Sequence, residues 1–183
     1  MPFSFYDSAY GNFYRSISKI LFHDIGESGF SIFNETKQLE ITSIRLGNNA
    51  QVKPNGVVSI ATSEFNTRFR GYIPTVLFLS LVLASPVSIK RKLSSSIGGF
   101  VIITSAIMIK QWIHLLYIYT QAQWLNLYEF SPSEEKLVIS LYKNIANYNG
   151  PTIVFAIAVW LVFTFHKSDL KIILKEINSE TDI

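Results

Sequence analysis

Apolar positions follow different spacings along the chain. Between Tyr10 and Phe22, the residues Tyr10, Phe13, Tyr14, Ile17, Ile20 and Leu21 recur at helical intervals, with Arg15, Ser16, Ser18 and Lys19 between them. That period predicts an amphipathic helix, lying in a membrane interface or packed on the neighbouring segment. From Gly29 to Thr67 the period falls to two, with Phe30/Ile32, Leu39/Ile41, Ile44/Leu46 and Val58/Ile60 as same-face pairs, which predicts strands. Gly47-Asn48-Asn49 and Pro54-Asn55-Gly56 read as turns, and the slip between Ile41 and Ile44 predicts a bulge or a change of strand. A sheet this small needs a covering surface: the amphipathic helix, the outer ends of membrane helices, or a partner protein.

After Gly71 alternation gives way to continuous runs. Gly71–Ile89 carries no charge over about 19 residues, long enough at 1.5 Å per residue to cross roughly 30 Å of hydrocarbon, and Lys90, Arg91 and Lys92 follow at once. Ser96–Gln121 is a second run, interrupted by Lys110, Gln111 and His114, and Gly150–His166 is a shorter third. Tyr72, Tyr117, Tyr119, Trp124, Phe163 and Phe165 sit near the run ends, as interfacial belts do. In the last connection, Ser131-Pro132-Ser133-Glu134 is a capping box with proline at the first helical position, predicting a helix from about Pro132 to Ala146. The expected fold is an α-helical membrane protein with three transmembrane helices plus a small extramembrane α+β module. Residues 1–70 would form the module, 71–166 the three-helix membrane domain with the amphipathic outer helix at 132–146, and 167–183 a tail.

Composition supports that class. Hydrophobic residues make up 49% of the 183 and charged residues only 16%, where soluble domains carry about a quarter charged. A chain this apolar is not disordered. The net charge of +3 is as much as Lys90, Arg91 and Lys92 alone supply, whereas residues 1–70 hold seven basic against six acidic side chains. Charge this local predicts contact with lipid headgroups and no nucleic-acid partner. With no cysteine, disulfides, thiolate metal sites and thiol nucleophiles are excluded.

Basic residues also set the expected orientation. The Lys90-Arg91-Lys92 loop (90–95) and the tail with Lys167, Lys171 and Lys175 fall on the cytoplasmic side, and the 122–149 loop, with Glu129, Glu134 and Glu135, falls outside. Arg68 and Arg70 then lie outside and run against the rule. The N-terminal module lies outside as well, and since the chain opens without a charged and then apolar leader, this orientation expects an anchor upstream of Met1, the favoured reading, or translocation of the module by the following span, failing which the orientation is inverted.

Candidate chemistry is sparse. Lys110 and His114 stand one turn apart on a shared helix face beside Gln111, and a charged group at mid-bilayer costs roughly 2.5–3.5 kcal/mol unless it finds a partner or a cavity. Snorkelling or an interhelix contact is the structural reading, a ligand site the functional one. Arg68 and Arg70, beside Glu64, are candidates for binding an anionic lipid or a carboxylate. His23, His114 and His166 have no metal-ligand spacing, and no phosphate-loop, dinucleotide or nucleophile-elbow motif occurs, so no metal, cofactor or catalytic residue is expected. Gly98-Gly99 reads as close helix packing.

The stretch Arg68-Phe69-Arg70-Gly71-Tyr72-Ile73-Pro74, with Leu81-Val82-Leu83-Ala84-Ser85-Pro86 and Lys90-Arg91-Lys92 after it, resembles the exosortase/archaeosortase group and its associated integral membrane proteins over about forty residues. Exosortases resemble cysteine transpeptidases, and this chain has no cysteine. The resemblance therefore implies a non-catalytic accessory protein, with Arg68 and Arg70 as the residues that would correspond to the group's outer-surface arginines. The functional expectation is a non-catalytic accessory or scaffolding subunit with a membrane protein partner or an oligomer of itself. The alternative is a membrane-embedded enzyme or lipid-binding protein with an outer-leaflet basic site.

Overall fold

The computed structural model describes residues 3–25, 28–52, 56 and 58–165. The expected tail with Lys167, Lys171 and Lys175, together with His166 and the Pro54-Asn55 part of the second turn, lies outside the described residues.

Helix α1 (Phe3–Phe22) leads into a four-stranded antiparallel meander of β1 (Asp24–Ile25), β2 (Gly29–Glu35), β3 (Ile41–Val52) and β4 (Val58–Asn66). Phe33 pairs with Ile44 and Ser31 with Leu46, while Ser63 pairs with Ile44 and Phe65 with Thr42. Phe33, Ile44, Leu46 and Phe65 thus share one face, which is buried, and Ile32 points the other way, 40% exposed. No bulge falls between Ile41 and Ile44; the irregularity lies between Gly47 and Val52. Gly47-Asn48-Asn49 is not a turn but part of a 12-residue strand. A Cβ on Gly47 would come within 2.4 Å of the Phe30 ring, so glycine is needed there for close approach. The Asn48 amide reaches out of the strand to donate to the Leu125 carbonyl at 2.8 Å.

The chain then forms a π-helical turn (Arg68–Tyr72), α2 (Ile73–Ala84), α3 (Ile89–Gln121), a short 3-10 turn (Gln123–Leu125), α4 (Pro132–Leu141), a second π-turn (Tyr142–Ala146) and α5 (Gly150–Thr164). The capping box forms at α4, where Ser131 and Glu134 satisfy each other's backbone N–H groups. Burial leaves the Tyr10 phenol of α1 pushed up to about 12, the Thr75 hydrogen bond opposing this, and burial likewise raises that of Tyr14.

Among the described residues, only α3 is long and apolar enough to cross a membrane by itself. A second candidate arises only if α4 with its π-turn and α5, bent by 64°, are one broken span. Three separate spans are therefore not supported: α2 has 12 residues and α5 has 15. The first apolar run is longer than its helix because Ser85, preceding Pro86, is forced into extended backbone. The second is shorter than its helix, since α3 starts seven residues before Ser96. Lys90, Arg91 and Lys92 accordingly occupy the opening turn of a helix and not a loop, and Lys92 Nζ donates to the Leu83 carbonyl at 2.6 Å, closing the end of α2.

Helices α2 and α5 pack on α3 through its glycines. A Cβ on Gly99 would meet the Phe78 ring of α2 at 2.1 Å, and one on Gly98 would meet the Phe163 ring of α5 at 2.8 Å. Ser95 Oγ donates to the Phe163 carbonyl at 2.7 Å and Trp160 Nε1 to Ser85 Oγ at 2.9 Å, tying the same end. The sheet, α1 and the rest of α3 share one continuous core in which Tyr14, Phe33, Leu46 and Phe65 join Leu115, Ile118 and Leu125. The sheet's cover is therefore internal.

Candidate functional site

Four of the residues singled out from sequence converge where α3 passes between the sheet and the two π-turns. Lys110, Gln111 and His114 are 5%, 0% and 3% exposed, on a helix whose other face is apolar. Arg70 comes from the first π-turn, a distortion common at functional sites because its wider turn re-aims side chains. Gly71 next to it admits the Tyr10 ring where a Cβ would come within 2.5 Å of the hydroxyl.

Arg70 Nη1 lies 3.3 Å from His114 Nδ1, and Nη2 donates to Asn147 Oδ1 at 3.4 Å. Its guanidinium stands 4.8 Å over the Phe65 ring, a cation–π contact. Because guanidinium nitrogens only donate, His114 Nδ1 must offer a lone pair, which puts the proton on Nε2 and leaves the ring neutral. Nε2–H then donates to Ser63 Oγ, 3.1 Å away. The imidazole is held edge-on by Phe65 at 5.8 Å and by Tyr142 at 5.3 Å, and Tyr142 is itself stacked on Tyr117 at 3.8 Å.

A serine hydrogen-bonded to a histidine supplies two of the three members of a nucleophilic triad, but the third group decides what the pair can do. A carboxylate at Nδ1 would leave Nε2 free to take the serine proton. Arg70 fixes the opposite tautomer, so Nε2 already carries its proton and Ser63 is not activated.

Lys110 does not reach the surface. Its Nζ donates to the Tyr148 carbonyl at 2.8 Å and to Thr152 Oγ1 at 2.5 Å, at the start of α5. Gln111 Oε1 accepts from the Tyr14 hydroxyl, while its Nε2 is buried without a partner among the described residues. Tyr14 is stacked on Phe65 at 5.0 Å, linking this bond to the floor beneath Arg70. Among the described residues the ion pairs are Arg15 with Glu35 and His23 with Asp24, so no carboxylate is within ion-pair reach of Arg70 or Lys110. No three histidine or acidic side chains come together as a metal site would need, again among the described residues.

Arg68 stands two residues from Arg70 on the same π-turn, with interactions of its own. Lys90, Arg91 and Lys92 are at the far end of α3 and take no part. Ser63, Tyr14, Tyr142, Asn147 and Thr152 were not anticipated. For Ser63 a signal existed: it is the polar residue between Ala61 and Phe65 on the inward face of β4. No family model, curated protein or solved structure matches the chain, so the likeness to the exosortase/archaeosortase group rests on the residues quoted for it.

Proposed function

We propose that the chain is an integral membrane protein, a non-catalytic subunit of a membrane complex that holds an anionic group at Arg70. The carrying observation is the meeting of Arg70, Lys110 and His114 on one side of α3, with donors in excess and, among the described residues, no carboxylate to neutralise them. Two of the five guanidinium N–H groups and two of the three ammonium N–H groups have acceptors there. A carboxylate or phosphate suits what remains. The histidine tautomer supports binding over nucleophilic chemistry.

The membrane reading is supported by an inverted polarity. Leu83, Ile97, Val101, Val154 and Val162 are more than half exposed on α2, α3 and α5, while Thr75, Ser85, Ser95, Lys110, Gln111 and Thr152 are buried between elements. Water favours the reverse, and lipid favours this. From Lys92 to Lys110 is eighteen residue steps of α3, about 27 Å, close to the thickness of a hydrocarbon core. In this reading α3 crosses that thickness, while α2 and α5, each too short to span it alone, pack against α3 within the same layer. Lys90, Arg91 and Lys92 meet cytoplasmic headgroups, and the sheet, α1 and the 122–149 segment lie outside. The internal cover of the sheet weakens the case for a partner at the sheet's inner face.

Thermal unfolding of the detergent-solubilised protein with rising inorganic phosphate, at ionic strength held constant with chloride, tests the site. A ligand at 100 times its dissociation constant stabilises by about 2.7 kcal/mol. The wild type is expected to unfold at rising temperature and Arg70→Gln to stay level; parallel behaviour of the two removes the proposal.

A further inference from the structure

Directly beside Lys110 the surface opens into an apolar groove of about 350 Å³ between α3 and α5, walled by Ala106, Ile109, Ile145, Pro151 and Phe155. Its volume is within the range of sites that hold small ligands. The polar groups at its head are Lys110 and Thr152, the two joined by the 2.5 Å hydrogen bond. The order along α3 is informative: Ala106, then Lys110 one turn on, then His114 one turn further, which puts the head of the groove about 6 Å and its far wall about 12 Å of helix from the level of His114, the partner of Arg70. One short segment serves both places, since Ile145 lines the groove, Asn147 accepts from Arg70 and Tyr148 accepts from Lys110.

An anion held by Arg70 with a slot of pure hydrocarbon running from Lys110 towards the opposite end of the bundle describes an amphiphile. We infer that the ligand of the Arg70 site is an anionic phospholipid, its phosphate on Arg70 and Lys110 and one acyl chain in the α3–α5 groove. The inference rests on the anion-binding reading above and adds to it the class of the ligand. A soluble anion or a carboxylate on a partner's side chain would use the cations and ignore the groove. A zwitterionic lipid would fill the groove but bring no net negative charge to two cations that have no carboxylate partner among the described residues. The wall residues suit a chain and no polar headgroup: apart from Lys110 and Thr152, they present only aliphatic, aromatic and proline surface. Ile145 and Phe155 are partly exposed, so the slot is reached sideways from the lipid phase.

The test is native mass spectrometry of the full chain released from nanodiscs made of equal parts dioleoylphosphatidylglycerol and dioleoylphosphatidylcholine. The wild type is expected to retain one phosphatidylglycerol, favoured about tenfold over phosphatidylcholine, a discrimination equivalent to about 1.4 kcal/mol. Arg70→Gln should lose the preference. Ala106→Phe, which fills the groove without touching Arg70, should lower retention about tenfold while its thermal stabilisation by inorganic phosphate stays at the wild-type level. Wild-type retention by Ala106→Phe, with Arg70→Gln deficient, overturns the groove and leaves the anion site standing. Unchanged lipid preference and phosphate response in Arg70→Gln overturn both. Should Ala106→Phe not fold, displacement of the retained lipid from the wild type decides: dioctanoyl-phosphatidylglycerol must compete at least about tenfold better than the dihexanoyl form, and equal competition refutes a chain-binding groove.

Discussion

The packing of α2 on α3 is concentrated at one atom-sized gap, and closing that gap should be costly. Gly99 faces Phe78 so closely that an added Cβ would lie 2.1, 2.6 and 2.9 Å from three ring atoms. Phe78 is fully buried, with no solvent side into which its ring can swing. Overpacking of this kind costs about 1–3 kcal/mol, and three close contacts on an immobile ring place Gly99→Ala near the upper figure. Against it stands the helix preference of alanine over glycine, about 1 kcal/mol. The net loss is about 2 kcal/mol, which for a chain of 183 residues lowers the unfolding temperature by about 4–8 °C. Circular dichroism at 222 nm on detergent-solubilised protein reads that shift. Gly150→Ala is the internal control, because nothing lies within 4 Å of a Cβ there. Replacing Phe78 by Leu in the Gly99→Ala background should recover part of the loss, a favourable coupling of about 0.5–3 kcal/mol in a double-mutant cycle. If Gly99→Ala melts at or above the wild-type temperature, α2 and α3 do not meet at this glycine and the bundle geometry is wrong.

Three further outcomes follow. Ser131→Ala removes the acceptor for Glu134 N–H and is expected to destabilise by about 1 kcal/mol, read as a lower melting temperature. The Ser131 backbone and hydroxyl hydrogen bonds hold the exposed Glu134 carboxyl below its ordinary value, so the stability it contributes is complete above the unfolded carboxyl range and is lost as pH falls through the folded value. Of the bonds that Ser131→Ala removes, only the one from the Ser131 hydroxyl to the Glu134 carboxylate depends on that ionisation, so the gap between the two proteins should narrow on acidification through the carboxyl range without closing, and a constant gap would exclude that bond as a contributor. For topology, the absence of cysteine allows Ser94→Cys and Ser133→Cys, both at exposed positions, to be labelled by an impermeant maleimide in intact cells. The proposed orientation predicts labelling of position 133 alone, and labelling of position 94 alone inverts it.

How much of this was legible in the sequence differs by element. The α4 cap could be read in full, because a capping box is local: Ser131 and Glu134 need only each other. The amphipathic stripe of α1 was equally visible, but not which of its members matter; Tyr14 is buried because Phe65 and Gln111 are there to receive it, whereas Ile20 is 81% exposed. Turn chemistry misled at Gly47-Asn48. Both residues are turn formers by propensity, yet here the glycine makes room for Phe30 and the asparagine bonds a segment 77 residues away, two demands that no local rule contains. Run length misled as well, since Pro86 ends α2 earlier than hydrophobicity alone suggests and α3 accepts the basic residues into its first turn.

The site shows the same division between what one helix can say and what its neighbours add. Lys110, Gln111 and His114 stood out as polar interruptions of an apolar run, which is a statement about cost: each must be compensated or the helix would not be buried there. Sequence could not say by what. The three turn out to be compensated by quite different means, and the differences assign their roles. Lys110 is met by a carbonyl and a hydroxyl from the start of α5, Gln111 by the phenol of α1, and His114 by a cation on one nitrogen and a hydroxyl on the other. Only the last compensation adds charge to the site instead of dispersing it. Placing Arg70 against a neutral imidazole, over the face of Phe65 and without a carboxylate among the described residues, leaves a half-buried positive charge with hydrogen-bond donors still to spend. A protein that needed Arg70 for stability alone would be better served by an acid at position 63 or 147, where serine and asparagine stand. Their neutrality leaves Arg70 without a counterion among the described residues, and it is on this choice of partners, more than on the presence of the arginine, that the proposed anion site rests.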